Sequence, residues 1–124
     1  MESAYKDQTE FNRKFLAKKG IDLNNISHED LIKLSKDYII HMIKELTEVL
    51  DTLKFKMHRK QELEFVRSNT VEELMDAQKF LWGLFQIFGV DFKEFEEEYW
   101  RKTAVVEQRW IQEFELNLGD KKCI

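Results

Sequence analysis

The stretch IIHMIKELTEVLDTL, residues 39–53, decides the fold, because its large apolar residues recur at helical spacing. Successive members of this set are 4, 3, 4 and 3 residues apart: Ile39, Ile43, Leu46, Leu50 and Leu53. Such intervals place all of their side chains on one face of an α-helix. The stretch therefore predicts an amphipathic helix with an apolar stripe that faces a core.

The rest of the chain is also expected to be helical, because proline is absent and no segment alternates β-branched residues. A first helix is expected over residues 3–19, since Gly20 follows as a typical C-terminal residue. The second helix, which contains residues 39–53, is expected to begin after Ser27 and to run to about residue 59. The Ser27 side chain can cap its first turn.

Two more helices are expected in the second half of the chain. The third covers about residues 70–88. The fourth begins at Asp91, where Glu94 completes a capping box, and ends near residue 118, before Gly119 and a polar tail. Because short connections between long helices favour antiparallel neighbours, the predicted fold is an all-α antiparallel bundle of four to five helices.

Length and composition limit the class of protein. The chain has 124 residues, the size of one domain, so residues 1–124 are expected to form a single all-α domain. Hydrophobic residues make up 43% of the chain and aromatic residues 13%, which excludes a disordered chain. The net charge is -4, whereas general nucleic-acid binders carry a basic excess. We therefore expect no nucleic-acid partner.

The cysteine count and the apolar runs indicate a compartment. Cys123 is the only cysteine, which excludes an intramolecular disulfide and favours a reducing environment. The longest apolar run, residues 80–90, is about half of the ~20 residues that span a bilayer. The first residues, 1–7, contain no apolar signal segment. These features predict a cytoplasmic protein with no membrane partner.

Four carboxylates lie on or beside the apolar faces of two predicted helices. On a helical projection of 100° per residue, Glu45 lies about 100° from the centre of the second helix's stripe, and Glu48 lies further round on the same side. In the third helix, centred on Ala77, Glu73 lies about 40° from the centre and Asp76 about 100°. Glu73 is therefore predicted to point into the stripe.

The spacing of these carboxylates indicates a metal site. Glu45 and Glu48 are three residues apart, as are Glu73 and Asp76, so each pair shares one helix face. A carboxylate directed at a core is costly unless it is paired or binds a metal. If the two helices pack side by side, the four groups converge and repel one another unless a cation lies between them. Mg²⁺ prefers oxygen ligands and bridges to phosphates, which predicts a site for phosphate chemistry.

Two simpler interpretations of the same residues stay open. An E-x-x-E pair on a highly charged helix is common on a solvated face. Residues 70–73 also match a capping box, in which the Glu73 carboxylate returns to the amide of the cap residue. The capping interpretation would fail if the third helix began a turn earlier.

Two further patterns have both a structural and a functional interpretation. Trp82 and Met75 lie on the side of the third helix opposite Ala77, which suggests burial against a partner chain or another helix. The basic residues in 54–60 suit the C-terminal end of a helix, and they also suit contact with phosphate.

Three blocks of residues carry a resemblance to a known superfamily. The first is residues 41–51, with an E-x-x-E pair, followed by an aromatic–Lys pair in residues 54–56. The second is E-x-x-D-x-x-x-F in residues 73–80, and the third is Y-x-x-K-T-x-x-V-x-x-R in residues 99–109. With these blocks in order, the chain resembles the all-α nucleoside triphosphate pyrophosphatases, the superfamily of the MazG proteins and the dimeric dUTPases. The match covers roughly residues 38–110.

The resemblance implies a bundle that forms a homodimer or a tetramer. It also implies attack of water on a nucleoside triphosphate with Mg²⁺, or Mn²⁺ as an alternative ion, giving a monophosphate and pyrophosphate. The metal ligands it implies are Glu45, Glu48, Glu73 and Asp76, with Glu48, or else Glu45, orienting or deprotonating the water. The substrate contacts it implies are Lys56, Lys102 and Arg109 for phosphates and Tyr99 and Gln8 for the nucleotide.

Two positions depart from the dimeric dUTPase pattern. Thr103 and Val106 stand where that pattern has Asn, and Val106 cannot hydrogen-bond a nucleotide through its side chain. Triphosphate hydrolysis is therefore better supported than dUTP as the substrate. The alternative is a non-catalytic helical dimer that serves regulation or assembly on the same scaffold. The small size resembles MazG-like and phage-type members, which implies the host cytoplasm for a phage-encoded chain.

Overall fold

The computed structural model describes residues 1–53 and 66–122, with side chains through residue 115, and every regular element in these ranges is helical. In chain order the helices are α1 (Glu2–Lys18), α2 (His28–Thr52), α3 (Arg67–Ile87) and α4 (Phe92–Lys122), with a short 3₁₀ helix at Leu23–Asn25 between α1 and α2. The chain divides into two compact units, Met1–Val90 with α1 to α3 and Asp91–Ile124 with α4. The all-helical prediction is confirmed for the described residues.

Two helix starts follow from local capping, as predicted. The backbone N–H of Asp30 donates to Ser27 Oγ over 3.1 Å at the start of α2. The backbone N–H of Glu94 donates to Asp91 Oδ1 over 2.8 Å at the start of α4. Each bond satisfies one of the donors that a helix leaves free in its first turn. The predicted extension of α2 to residue 59 lies outside the described residues.

Two predicted helix ends are wrong. Helix α3 begins at Arg67 rather than at Thr70, because residues 67–69 contain no helix breaker and simply continue the helix toward its N-terminus. Helix α4 continues past Gly119 to Lys122. A glycine inside a helix costs only about 1 kcal/mol relative to alanine, and no proline follows to stop the helix.

Helices α2 and α3 form an antiparallel pair. The hydroxyl groups of Thr52, at the end of α2, and Thr70, near the start of α3, share a hydrogen bond of 2.8 Å. Fourteen residues before Thr52 on α2 and ten residues after Thr70 on α3, the Tyr38 ring packs edge-on against Phe80, with 5.7 Å between ring centroids. These contacts run along the two helices in opposite directions, so residues in the middle of α2 face residues in the first half of α3.

Helix α1 is fastened to this pair by a buried polar network. The Tyr38 hydroxyl donates to Asn12 Oδ1 over 2.5 Å, and Asn12 Nδ2 donates to Gln86 Oε1 over 2.9 Å. Gln86 Nε2 in turn donates to the backbone carbonyl of Thr9 over 3.0 Å. Buried polar groups that satisfy one another in this way fix a single arrangement of the helices that carry them. The network therefore sets how α1, α2 and α3 pack.

We expect Tyr38→Phe to lower the free energy of unfolding by about 1–3 kcal/mol, because Asn12 Oδ1 loses its donor while it stays buried. Chemical denaturation of the purified variant measures the change. Tyr99→Phe is the matched control, since Tyr99 is exposed on α4. A Tyr38→Phe variant as stable as the wild type would show that the network does not stabilise the fold.

The predicted core-facing stripe of α2 is exposed in the described part of the chain, so this prediction is wrong there. All five of its residues are exposed, including Ile43 at 56% and Leu46 at 44%. Helix α3 instead packs against the neighbouring flank of α2, where Tyr38 and Val49 are buried. On α3 itself Ala77 is buried, whereas the stripe residues Leu74, Leu81 and Phe88 are exposed.

The two residues of the second apolar face predicted on α3, Trp82 and Met75, differ in burial. The Trp82 ring is buried and packs edge-on against Tyr5 of α1, with 5.8 Å between ring centroids. Burial against another helix, one of the two predicted options, is therefore correct for Trp82. Met75 is exposed in the single chain.

The second unit is a long charged helix with exposed aromatic residues. On α4, Tyr99 packs edge-on against Trp100, and Trp110 stacks on Phe114. All four of these side chains are more than half exposed. Across the described part of the chain, neither this helix nor any other combines the length and the apolar character needed to cross a bilayer.

Candidate metal centre

The four predicted carboxylates come together in the middle of the α2–α3 pair. Helix α2 supplies Glu45 and Glu48 from one face, and α3 supplies Glu73 and Asp76 in the same way. Glu45, Glu73 and Asp76 each place one carboxylate oxygen within 4.8 Å of the others. This spacing suits three ligands around one cation. We refer to these four residues as the acidic cluster.

Glu48 joins the cluster through Glu73. The Glu48 carboxylate, which accepts a hydrogen bond from protonated Glu73, is the largest of several causes that raise the pKa of Glu73 from an ordinary value of 4.5 to about 7. Partial burial and the negative charges of Glu48, Asp76 and Glu45 raise the pKa of Glu73 in the same direction. Burial also raises the pKa of Glu45, and Glu48 adds to that increase. In the metal-free chain Glu73 therefore binds a proton at a higher pH than an ordinary glutamate does.

The Glu73 side chain is half-buried, and one of its oxygens lacks a hydrogen-bond donor among the described residues. Its Oε2 atom is buried and has no hydrogen-bond partner among the described residues. When all four carboxylates are ionised, they only accept hydrogen bonds, so the other members of the cluster cannot satisfy this oxygen. A buried acceptor without a donor is costly, and a cation would remove that cost. This contradicts the interpretation of Glu73 as part of a solvated helix face.

The capping interpretation of Glu73 is also wrong. Because α3 begins at Arg67, with Val66 before its first turn, Glu73 lies in the second turn of the helix. The Thr70 hydroxyl bonds to Thr52 rather than to an amide of the first turn. A capping box needs its Glu three residues after the cap, which is not the case here.

No basic side chain compensates the acidic cluster in the described part of the chain. The ion pairs found there are all between neighbours on one helix and lie elsewhere, on α1, on the first half of α2 and on α4. Buried or half-buried carboxylates are normally paired with a base or bound to a metal. The donor set consists only of carboxylate oxygens, which suits Mg²⁺, Mn²⁺ or Ca²⁺ rather than a soft metal.

An aromatic surface lies one helical turn from the acidic cluster. The His41 ring lies 5.6 Å from the Phe80 ring, tilted by 35°, and Phe80 also contacts Tyr38. His41 precedes Glu45 by four residues, and Phe80 follows Asp76 by four. Such a surface can stack on a flat group bound beside the metal. Sequence reasoning missed this group, although the two i,i+4 spacings were readable.

Of the five substrate residues predicted from the resemblance, only Gln8 can be placed relative to the acidic cluster. Lys56 lies outside the described residues. Gln8 belongs to α1, which contacts α3 near Trp82 and Gln86 rather than near the acidic cluster. The other three lie on α4, in the second unit: Tyr99, Lys102 and Arg109.

Comparisons with known proteins give no relative: no protein-family model, no curated protein and no solved structure matches this chain. The resemblance to the all-α pyrophosphatases therefore stays a prediction. The site is characterised by the geometry of its own residues.

The raised pKa of Glu73 predicts how stability depends on pH in the metal-free protein. Its folded pKa of about 7 lies above its unfolded value near 4.5, so the folded chain binds more protons between these values. The contribution of Glu73 to the free energy of unfolding is present below about pH 4.5 and is lost as the pH rises to about 7. The Tm difference between Glu73→Gln and the wild type should therefore widen over this range. A Tm difference that stays constant with pH would contradict the raised pKa of Glu73.

Proposed function

We propose that the chain is a Mg²⁺-dependent nucleoside triphosphate pyrophosphohydrolase, a hydrolase acting on a phosphoric anhydride. The observation that carries the proposal is the convergence of four carboxylates, without a basic partner among the described residues, around the buried oxygen of Glu73. The order of three motifs that resemble the all-α pyrophosphatases supports the same activity.

The residues divide into ligands and a base. Glu45, Glu73 and Asp76 would hold Mg²⁺, with Glu48 as the fourth ligand that the resemblance implies, and the bound ion would neutralise phosphate charge and orient the reacting water. Glu48, or else Glu45, would accept a proton from that water. The water oxygen forms a bond to the α-phosphorus, and the bond from that phosphorus to the bridging oxygen breaks. Pyrophosphate leaves and the nucleoside monophosphate remains.

The remaining assignments come from the resemblance and are part of the proposal. Lys56, Lys102 and Arg109 would contact the phosphates, because cationic side chains form strong hydrogen bonds with phosphate oxygens. Tyr99 and Gln8 would contact the nucleotide. The substrate would be one or a few nucleotides in a cytoplasmic pool.

Pyrophosphate release tests the proposal. Purified protein is incubated with a panel of ribonucleoside and deoxyribonucleoside triphosphates, with Mg²⁺ and then with EDTA. We expect release from one or a few nucleotides with Mg²⁺ and none with EDTA. Absence of release from every nucleotide, with folded protein, would contradict the proposal.

A second candidate is a non-catalytic helical dimer that serves regulation or assembly. The exposed apolar stripes of α2 and α3 favour it, as do Thr103 and Val106 in place of Asn. Both candidates predict a folded helical protein, but only the enzyme predicts metal-dependent turnover. The same panel therefore separates them.

A further inference from the structure

The helix surface that carries the acidic cluster continues beyond it toward α1. On α2, His41 precedes Glu45 by one turn, and on α3, Phe80 follows Asp76 by one turn. On each helix the ring therefore lies within about 40° of the acid. Because the helices are antiparallel, the two steps lead in the same direction. The His41 and Phe80 rings meet there, with 5.6 Å between their centroids.

Helix α1 bounds this surface on the far side of the two rings. Asn12 of α1 accepts a hydrogen bond from the Tyr38 hydroxyl, and its Nδ2 atom lies 3.7 Å from the position that a Cβ atom would take at Gly83. Tyr38 precedes Glu45 by seven residues, which is a rise of about 10 Å along α2. His41 lies in the middle of this stretch, between the acidic cluster and α1.

The neutral His41 ring is held in one tautomer. Its Nδ1 atom lies 2.8 Å from the backbone carbonyl oxygen of Asp37. A carbonyl oxygen only accepts hydrogen bonds, so Nδ1 carries the donated proton. The Asp37 carboxylate, 3.6 Å from the same nitrogen, also favours a proton there. On the neutral ring, Nε2 is therefore a hydrogen-bond acceptor.

This acceptor is exposed and held in place. The His41 side chain is 51% exposed, and within the part of the chain that the structure describes its ring forms a hydrogen bond through Nδ1 alone. The contact with Phe80 and the bond to Asp37 fix the orientation of the ring. A group that is already ordered loses less conformational freedom when it binds a ligand. Nε2 is therefore suited to recognise a ligand that has a hydrogen-bond donor.

We propose that His41 is a specificity-determining residue, whose Nε2 atom accepts a hydrogen bond from the nucleoside part of the substrate. The inference rests on the proposed function, because it takes a nucleotide as the ligand of the acidic cluster. With the phosphates held at the carboxylates, the sugar and base lie beside them, and His41 lies about 6 Å from Glu45 along α2. The donor is a sugar hydroxyl or an amino group of the base.

Binding of two ligands to His41→Phe tests this contact. The phenyl ring preserves the aromatic contact with Phe80 but has no nitrogen, and circular dichroism checks that the variant folds. The ligands are a panel of nucleoside α,β-imidotriphosphates and inorganic tripolyphosphate, which has no nucleoside, each titrated calorimetrically with Mg²⁺. His41→Phe should bind the imidotriphosphate about tenfold more weakly, because it lacks one hydrogen bond, and should bind tripolyphosphate as the wild type does. His28→Phe is the matched control, since His28 is exposed at the start of α2, and it should change neither affinity.

Removal of the donor from the ligand identifies it. One set of imidotriphosphates lacks a sugar hydroxyl, and a second set carries bases without an amino group. Removal of the group that His41 contacts should weaken binding to the wild type by about tenfold and leave binding to His41→Phe unchanged. If each removal weakened both proteins equally, the contact with His41 would be wrong.

Two further results would overturn the contact. One is equal binding of the imidotriphosphate by His41→Phe and the wild type. The other is an equal loss of imidotriphosphate and tripolyphosphate binding in His41→Phe, which would place His41 against phosphate. Failure of the proposed function is distinguishable, because the imidotriphosphate would then bind while no nucleotide released pyrophosphate. A wild type that binds neither ligand would overturn both the contact and the proposed function.

Discussion

Glu73→Gln is expected to lower metal-dependent pyrophosphate release by more than about 100-fold, since even residues that only orient metal ligands are worth about 10–100-fold. The same variant should raise the Tm of the metal-free protein at neutral pH. Its amide carries no charge and can donate hydrogen bonds to the neighbouring carboxylates of Glu45 and Glu48. Loss of activity together with a gain of stability is typical of a site where charge is concentrated for function.

Glu72→Gln is the matched control for this prediction. Glu72 is the preceding residue on α3, has the same side chain and is exposed. It should leave both activity and Tm unchanged. If Glu73→Gln lowered the Tm of the metal-free protein, Glu73 would have a structural role rather than the proposed one.

Gly83→Ala is expected to destabilise the protein, although alanine is the better helix former by about 1 kcal/mol. A Cβ atom at Gly83 would lie 2.5 Å from Cε2 and 2.9 Å from Cδ2 of Tyr38. The Tyr38 ring cannot move away easily, because its hydroxyl is bonded to Asn12 and its edge packs against Phe80. Overpacking of this kind costs typically 1–3 kcal/mol, so we expect a net loss of about that size in chemical denaturation.

The Tyr38→Ala background separates the clash from other effects at this position. There the added methyl group has no ring to meet, so Gly83→Ala should be neutral or stabilising. A double-mutant cycle gives the interaction energy directly. If Gly83→Ala were equally destabilising in both backgrounds, the close approach of α2 and α3 at Tyr38 would not be its cause.

Helix capping could be predicted from the sequence, because it depends on neighbouring residues. Ser27 and Asp91 each accept the hydrogen bond that their sequence context indicates. The start of α3 could not be predicted in this way. Val66 precedes it without any side-chain cap, so no local signal distinguishes Arg67 from Thr70 as the beginning.

The two acid pairs were also predictable from the sequence, because residues three apart share one face of a helix. What the sequence could not supply is the contact between Glu48 and Glu73, which is the largest cause of the raised pKa of Glu73. That contact depends on the register of α2 against α3, set by distant pairs such as Thr52 with Thr70.

The apolar stripe of α2 shows the limit of periodicity. A repeat of 4 and 3 shows which residues share a helix face, but it does not show what packs against that face. In this protein α3 packs against the flank that carries Tyr38 and Val49, so the stripe itself stays exposed. The five residues do share one face of α2, and the prediction was wrong in assigning that face to the core.

Binding of Mn²⁺, followed by electron paramagnetic resonance, tests the central claim most directly, because it reports the cation at the acidic cluster without any substrate. The wild-type chain should remove free Mn²⁺ from solution in a stoichiometric ratio, and Mg²⁺ should compete. Glu73→Gln should abolish this binding and Glu72→Gln should preserve it. A wild-type chain that leaves Mn²⁺ free, or a Glu73→Gln variant that binds it equally well, would contradict the account.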